Sequence, residues 1–260
     1  MSKIRNKIEE VNSRNEKVLS VFLTAGFPVG FDFVELALRV LDSGADMLEI
    51  GIPFSDPLAD GAVIQKSSQE VLEKGINLSS VLHFTEEIRK RSDKPIILMG
   101  YANPIFHYGV DAFLKDAEIA GADGVIIPDV PLDEYDDFFG VENDSLDRIL
   151  LTTPRTSGTR IAEIDGKSSG FVYCVSVSGT TGVRNGFTSE DLISLERTRK
   201  MIQRNKMLIG FGISTPGDVK QISPYCDGVI VGSAVIRTLG REGIEGTLQL
   251  IRKLKEACRG

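Results

Sequence analysis

Short apolar segments alternate with longer amphipathic ones along the whole 260-residue chain. The apolar segments have the length and β-branched content of buried strands, whereas the amphipathic ones have the spacing of surface helices. We predict eight strands, at residues 18–25, 47–50, 95–101, 124–128, 148–153, 171–176, 207–211 and 228–232. Helices are predicted between them, with one more before the first strand at about 3–15 and a last one at about 244–257. Several helical segments end at a glycine typical of a helix C-terminus, namely Gly44, Gly75 and Gly121.

Eight strand–helix alternations in a chain of this length predict an α/β fold, a (β/α)8 TIM barrel. The main alternative is a doubly wound open sheet, which usually carries a GxGxxG turn after its first strand. Here "TAGFPVG" follows the first strand and does not fit that fingerprint. The sequence shows no linker or low-complexity segment, so we predict one barrel domain over residues 1–260.

The composition is that of a soluble globular protein, with 42% hydrophobic and 26% charged residues. A net charge of −7 without a basic cluster argues against a nucleic-acid-binding surface. The polar start "MSKIRNKIEE" lacks the apolar region of a secretory signal, and no apolar segment approaches the length of a membrane span. The cysteines Cys174, Cys226 and Cys258 are odd in number and not in CxxC spacing, which favours a reduced, cytoplasmic protein.

Glycines concentrate in the loops that follow the last three predicted strands, at Gly182, at Gly210 and Gly212, and at Gly232 beside Ser233. Barrels commonly bind phosphate in these loops through backbone amides and the N-terminus of a short helix, which "GSAVIRT" resembles. The alternative is that these glycines only form tight turns.

The residues available for chemistry narrow the reaction class. A lysine Schiff base is disfavoured because Lys17, Lys94 and Lys206 precede their strands and therefore lie at the opposite end of the barrel from the chemistry. No metal site is predicted, since the two histidines, His83 and His107, do not have paired ligand spacing. What remains is a site of carboxylates, hydroxyls and amides that performs general acid–base catalysis.

Two carboxylates in "MLEIGIPFSDPLADGAVIQ" are the main candidates for this role. Glu49 lies inside an apolar strand, where it is either one half of a salt bridge in the barrel or a desolvated acid–base group with a raised pKa. Asp60 precedes the next helix and could simply be its N-cap, and Asp56 is by default a turn residue. The Tyr173 hydroxyl either points into the barrel, or the ring is an ordinary part of the aromatic core. The segment 179–186 is polar, glycine-rich and long enough to form a lid.

The chain closely resembles the alpha subunit of tryptophan synthase along nearly its whole length. The matching stretches are "FLTAGFP", "LEIGIPFSDPLADGAVIQ", "GYANPIFHYG", "GVIIPDVP", "VYCVSVSGTTG", "GFGIST" and "VIVGSAV". The resemblance implies retro-aldol cleavage of indole-3-glycerol phosphate to indole and glyceraldehyde 3-phosphate. It also implies that Glu49 is the acid–base carboxylate and that Asp60 interacts with the indole nitrogen.

The resemblance assigns roles to further residues of this chain. It implies an indole pocket lined by Phe22, Met99, Ile126, Tyr173 and Phe211. It implies phosphate binding by Gly182, Gly212, Gly232 and Ser233. Thr181, in the lid, would contact Asp60 on closure. Phe27 and Val177 depart from the family pattern, since some relatives carry Asp and Arg at these positions.

The resemblance also implies a partner. The family works as an α2β2 complex, in which the beta subunit carries pyridoxal phosphate and receives indole through a tunnel, so no cofactor is expected in this chain. The implied docking residues are Pro53, Asp56, Pro57, Asn103, Phe106, Asp129 and Pro131.

Two alternatives to this function stay open. One is another phosphate-binding barrel of aromatic amino-acid synthesis, either an Amadori isomerase or the indoleglycerol-phosphate synthase, although the synthase calls for catalytic lysines that are missing here. The other is a weakly active subunit that mainly docks on a beta partner and activates it.

Overall fold

A computed structural model of the chain describes residues 2–140, 145–176 and 186–259. Eight parallel strands form a closed barrel in which each strand pairs with the next and the last pairs with the first. The strands are β1 Val18–Thr24, β2 Met47–Gly51, β3 Ile96–Met99, β4 Gly124–Ile126, β5 Asp147–Thr152, β6 Phe171–Val175, β7 Lys206–Gly210 and β8 Gly228–Val231. The predicted (β/α)8 barrel is therefore confirmed.

Helices surround this barrel. They are α1 Lys3–Ser13, α2 Phe33–Asp42, α3 Ala62–Leu72, α4 Leu78–Arg89, α5 Ala102–Tyr108, α6 Val110–Ile119, α7 Tyr135–Phe139, α8 Gly158–Lys167, α9 Ser189–Met201, α10 Pro216–Ile222 and α11 Ser233–Ala257. Gly44, Gly75 and Gly121 follow α2, α3 and α6 with positive φ, as the sequence predicts. The described elements all belong to this barrel and its helices, and the single domain over 1–260 stays a prediction.

The structure differs from the predicted elements in three places. The short helix expected after β8 and the final helix form one element, α11, which is broken only at Gly243, where φ is 69° and ψ is −165°. Residues 102–109, "ANPIFHYG", have the pattern of a loop after the third strand but contain α5, and the acidic residues that follow β4 contain a 3₁₀ turn at Leu132–Glu134 and the short α7. Lys206 is the first residue of β7 rather than the residue before it, which still places it at the amino end of the strand.

The amino end of the barrel is occupied by structural polar contacts. Lys17 donates from Nζ to the carbonyl of Cys226 at 2.8 Å, and Lys94 donates to the carbonyls of Leu41 and Ala45 at 2.6 and 2.8 Å. Both lysines hydrogen-bond to backbone carbonyls at this end of the barrel, so their positions agree with a structural role.

In the part of the chain that the structure describes, no helix is both long enough and apolar enough to cross a membrane.

The strands are buried on both faces, as in barrels whose sheet is covered by helices. All seven residues of β1 and all five of β2 are buried, including the polar Ser20, Thr24 and Glu49. The side chains that point away from the helices fill the barrel interior, and at the carboxyl ends of the strands this filling opens into a pocket.

Candidate active site

The pocket lies at the carboxyl ends of the strands and brings together nine of the residues that the sequence singled out. It is lined by Phe22, Glu49, Asp60, Ile64, Met99, Tyr173, Phe211, Gly212, Ile213, Ser214, Ile230, Gly232, Ser233, Ala234 and Arg237. Ile126 does not line it, because β4 is only three residues long and Ile126, opposite Met99, is fully buried in the barrel. Thr181, Gly182 and Val177 lie outside the described residues.

Glu49 is in the middle of β2 and is completely buried. Its Oε1 accepts a hydrogen bond from Ser20 Oγ at 2.8 Å, while Oε2 has no hydrogen-bond partner among the described residues. Burial raises the pKa of Glu49 from 4.5 to about 7, and the hydrogen bond from Ser20 opposes part of this change. No cation pairs with it within the described ranges, so the salt-bridge alternative is wrong there, and the carboxyl can exchange a proton near neutral pH.

Asp60 faces the same pocket from the loop before α3. The N-cap of α3 is Gly61, which makes no side-chain cap, so the interpretation of Asp60 as an N-cap is wrong. Burial raises the pKa of Asp60 to about 6, and a hydrogen bond with the Tyr101 hydroxyl opposes this. Tyr101 also accepts a hydrogen bond from the backbone N–H of Ala59 at 3.1 Å, which holds the loop. The sequence analysis missed Tyr101, although it lies two residues after the end of β3 in the quoted "GYANPIFHYG" stretch.

The apolar wall of the pocket depends on close approaches that only glycine permits. Tyr173 and Phe211 meet nearly edge to face, with ring centroids 6.1 Å apart at 74°. A Cβ added at Gly210 would lie 2.0 Å from the Tyr173 hydroxyl oxygen, and one at Gly51 would lie 2.4 Å from Cζ of Phe22. Tyr173 therefore points into the barrel. Its pKa is raised well above the usual value, first by burial and then by Glu49 and Asp60, so its hydroxyl stays protonated.

Phe211 itself adopts a strained backbone conformation, with φ of 70°. Non-glycine residues rarely occupy this region, and those that do cluster at functional sites. The Ser176 hydroxyl, at the end of β6, contacts the carbonyls of both Gly210 and Phe211 and supports the turn. Phe211, at this turn, lines the pocket wall.

The opposite end of the pocket is polar. Helix α11 begins there at Ser233, and its N-cap, Gly232, makes no side-chain cap. The N–H groups of the first helical turn therefore have no partner within the helix and carry the positive end of the helix dipole. Gly212, with φ of 75°, and Ser214 line the same pocket. Such an end suits a phosphate group.

The predicted docking residues lie beside the pocket mouth, and most of them are exposed. These are Asp56, Asn103, Phe106, Asp129 and Pro131, whereas Pro53 and Pro57 are buried within the chain itself and contribute little surface. Phe106 is 61% exposed and packs edge-on against Phe138, with centroids 4.9 Å apart. The Asp129 carboxylate accepts a hydrogen bond from the backbone N–H of Ala102 at 2.9 Å and so caps α5. Leu58, which the sequence analysis did not single out, is 86% exposed nearby.

One group of three potential metal ligands occurs in the described part of the chain, namely His83, Glu86 and Glu87 on α4. Glu86 and Glu87 both pair with Lys90, at 2.9 and 2.7 Å, so the cluster is an ordinary solvated helix surface. It is separate from the pocket.

Comparison with known proteins bears on what this pocket does. A family model of the tryptophan synthase alpha chain matches residues 8–260. The tryptophan synthase alpha chain of Desulfatibacillum aliphaticivorans is 42% identical over 266 residues, covering 100% of both chains. That of Flavobacterium psychrophilum is 39% identical over 256 residues, covering 98% of this chain and 100% of the relative. A chain of Mycobacterium tuberculosis tryptophan synthase superposes with a TM-score of 0.91 at 32% identity, covering 100% of this chain and 99% of that one.

Fold and site together define a (β/α)8-barrel enzyme whose pocket combines two buried carboxyl groups, an apolar wall and the N-terminus of a helix. The matches extend over essentially the whole chain. The chain belongs to the tryptophan synthase alpha chain family. The resemblance stated from the sequence is thereby confirmed, and with it the expectation of a lyase component of tryptophan biosynthesis.

Proposed function

We propose that this chain cleaves indole-3-glycerol phosphate to indole and glyceraldehyde 3-phosphate, as the alpha subunit of tryptophan synthase. The observation that carries this proposal is Glu49, a fully buried carboxyl with a pKa of about 7, which shares one pocket with Asp60 and has one oxygen without a hydrogen-bond partner among the described residues. The apolar wall would take the indole ring, and the amides at the start of α11 would take the phosphate.

The reaction needs two proton transfers and stabilisation of one charge. Protonation of the indole ring carbon at the scissile bond places positive charge on the ring nitrogen, and the Asp60 carboxylate stabilises that charge. The side-chain carbon bonded to the ring carries a hydroxyl, and removal of the hydroxyl proton turns that carbon into an aldehyde. The electron pair of the breaking C–C bond returns to the ring and restores indole. Glu49 in its protonated form supplies the ring proton, and its carboxylate then accepts the hydroxyl proton.

Removing the charge of Asp60 is expected to slow the reaction without unfolding the barrel. Asp60→Asn should lower kcat/KM for indole release by roughly 10²-fold, since the neutral amide cannot stabilise the charged ring nitrogen. Steady-state indole assays would measure this change, with the exposed Asp93→Asn at the amino end of the barrel as the matched control. Equal rates for Asp60→Asn and the wild type would contradict the role of Asp60.

The two carboxyls also predict a pH profile. Asp60 must be ionised, so activity should rise as pH passes through its pKa of about 6. Glu49 must start protonated, so activity should fall as pH passes through its pKa of about 7. We expect a bell-shaped profile of kcat/KM with its maximum between these values, and loss of the acidic limb in Asp60→Asn. A flat profile from pH 5 to 8 would be incompatible with these roles.

The proposal includes the beta subunit as partner, in an α2β2 complex that is cytoplasmic. Large apolar side chains exposed beside the pocket, Leu58 and Phe106, support a protein partner on this face. Asp56, Asn103, Asp129 and Pro131 would form the polar part of the same surface. Pyridoxal phosphate would be bound by the beta subunit, and this chain would need no cofactor of its own.

The decisive experiment is to incubate the purified chain with indole-3-glycerol phosphate and to assay indole, first alone and then with a tryptophan synthase beta subunit. Indole from the chain alone supports the proposed reaction. Indole only in the presence of the beta subunit would favour the docking and activating role. Absence of indole in both mixtures, together with turnover of a phosphoribosylated amine, would favour the isomerase alternative.

A further inference from the structure

Arg237 is a charged residue of the pocket that neither the sequence motifs nor the proposed mechanism uses. It lies on α11 four residues after Ser233, is half-buried, and lines both the catalytic pocket and a neighbouring cleft that contains Lys66 and Arg241. Its guanidinium makes no hydrogen bond or ion pair with any other residue that the structure describes. Other arginines of the described chain do have partners, as Arg39 does with Glu245.

Helix geometry directs this side chain towards the phosphate end of the pocket. Residues four apart lie on the same face of a helix, one turn above the other. The Cα–Cβ bonds of a helix point towards its N-terminus, so a long side chain covers the turn that precedes it. The turn that precedes Arg237 is the one at Ser233 and Ala234, the first two residues of the helix, and both line the pocket.

The charge balance of the pocket favours a cation at this position. In the form that starts the reaction Glu49 is protonated and Asp60 is ionised, so a phosphate dianion enters a pocket that already holds one carboxylate. The helix N-terminus contributes only about half a positive charge. Among the described residues that line the pocket, Arg237 is the single basic side chain. A guanidinium also matches two phosphate oxygens at once, which an amide cannot do.

We propose that Arg237 is a positioning and specificity residue that binds the substrate phosphate together with the first turn of α11. This inference rests on the proposed function and goes beyond it, because it assigns the selection of phosphorylated substrates to a side chain as well as to backbone amides. The guanidinium touches no reacting bond, so its contribution belongs to substrate binding.

The test compares Arg237→Gln, Arg237→Lys and the control Arg241→Gln. Arg241 is one turn further along α11 and lines the neighbouring cleft without lining the catalytic pocket. Arg237→Gln should raise KM for indole-3-glycerol phosphate roughly 10- to 100-fold with kcat within about threefold of wild type. Arg237→Lys should restore most of the affinity, and Arg241→Gln should resemble the wild type. Raising the salt concentration should increase KM of the wild type more than that of Arg237→Gln.

Calorimetric binding of inorganic phosphate separates this inference from the proposed reaction. Weaker phosphate binding by Arg237→Gln, with a melting temperature close to that of the wild type, supports the assignment even if no indole forms. Weaker phosphate binding by the variant together with no indole release by the wild type would contradict the proposed reaction but not the role of Arg237. The assignment of Arg237 is wrong if the wild type releases indole and Arg237→Gln has a KM and a phosphate affinity within twofold of the wild type. In that case the backbone amides of α11 are sufficient to bind the phosphate.

Discussion

Replacing Glu49 with glutamine is expected to lower kcat for indole release by roughly 10²- to 10⁴-fold, the usual contribution of a positioned proton-transfer group. Glutamine has nearly the same shape and its carbonyl oxygen can still accept the hydrogen bond from Ser20. It cannot donate or accept a proton at the pH of the assay, so only the chemical step should change. Indole release by the purified variant and the wild type measures the effect, and KM is expected to stay within a few-fold.

Stability measurements on the same variant show whether the structural basis of this prediction is correct. The folded pKa of Glu49, about 7, lies above the usual value of 4.5, so the buried carboxylate destabilises the fold as pH rises through that interval. At about 1.4 kcal/mol per pKa unit, the ionised Glu49 lowers the free energy of unfolding by about 3 kcal/mol above pH 7. Glu49→Gln should therefore be more stable than the wild type at pH 8 and close to it at pH 5.

Two other results would contradict the assignment of Glu49. Retention of more than a tenth of the wild-type kcat would mean that another group transfers the protons. Loss of activity together with unfolding at pH 5 would mean that Glu49 acts through the structure of β2. The exposed Glu9→Gln on α1 is the matched control, because it makes the same chemical change far from the pocket.

The barrel could be predicted because its signals are local. A fully buried parallel strand appears as a short apolar run, and Glu49 was conspicuous because it interrupts one. Helix C-termini that are followed by glycine could be predicted equally well from the sequence. In contrast, the residues of α5, Pro104 among them, were predicted as a loop. The proline lies in the first turn, where no amide hydrogen is needed, and Asp129 from another loop caps the helix.

The finer arrangement of the site depends on contacts between distant parts of the chain. The role of Asp60 was ambiguous because an N-cap and a pocket carboxylate look alike before a helix, and only the cap at Gly61 decides between them. Tyr101, which hydrogen-bonds Asp60, is 41 residues away from it in sequence. The strained turn at Phe211 is supported by Ser176, 35 residues earlier. No local pattern specifies such pairs.

The second large effect is expected from adding one methyl group at Gly210. Gly210→Ala should lower the free energy of unfolding by about 2 kcal/mol and remove most of the activity, because the new Cβ would lie 2.0 Å from the Tyr173 hydroxyl oxygen and 2.4 Å from Cζ. The Tyr173 ring is buried and meets Phe211 nearly edge to face, so a shift of this ring disturbs the pocket wall that both residues form. Denaturant unfolding and indole assays measure the two losses.

A double-mutant cycle tests whether the ring contact is the cause. Gly210 does not have a positive φ, so alanine fits the backbone there. In a Tyr173→Ala background the space is empty, and Gly210→Ala should then cost less than about 0.5 kcal/mol. Gly217→Ala on α10, where the nearest atom would be 3.5 Å away, is the control and should be as stable as the wild type or slightly more so. An equal cost of Gly210→Ala in both backgrounds would contradict the inward placement of Tyr173, on which the apolar wall of the pocket depends.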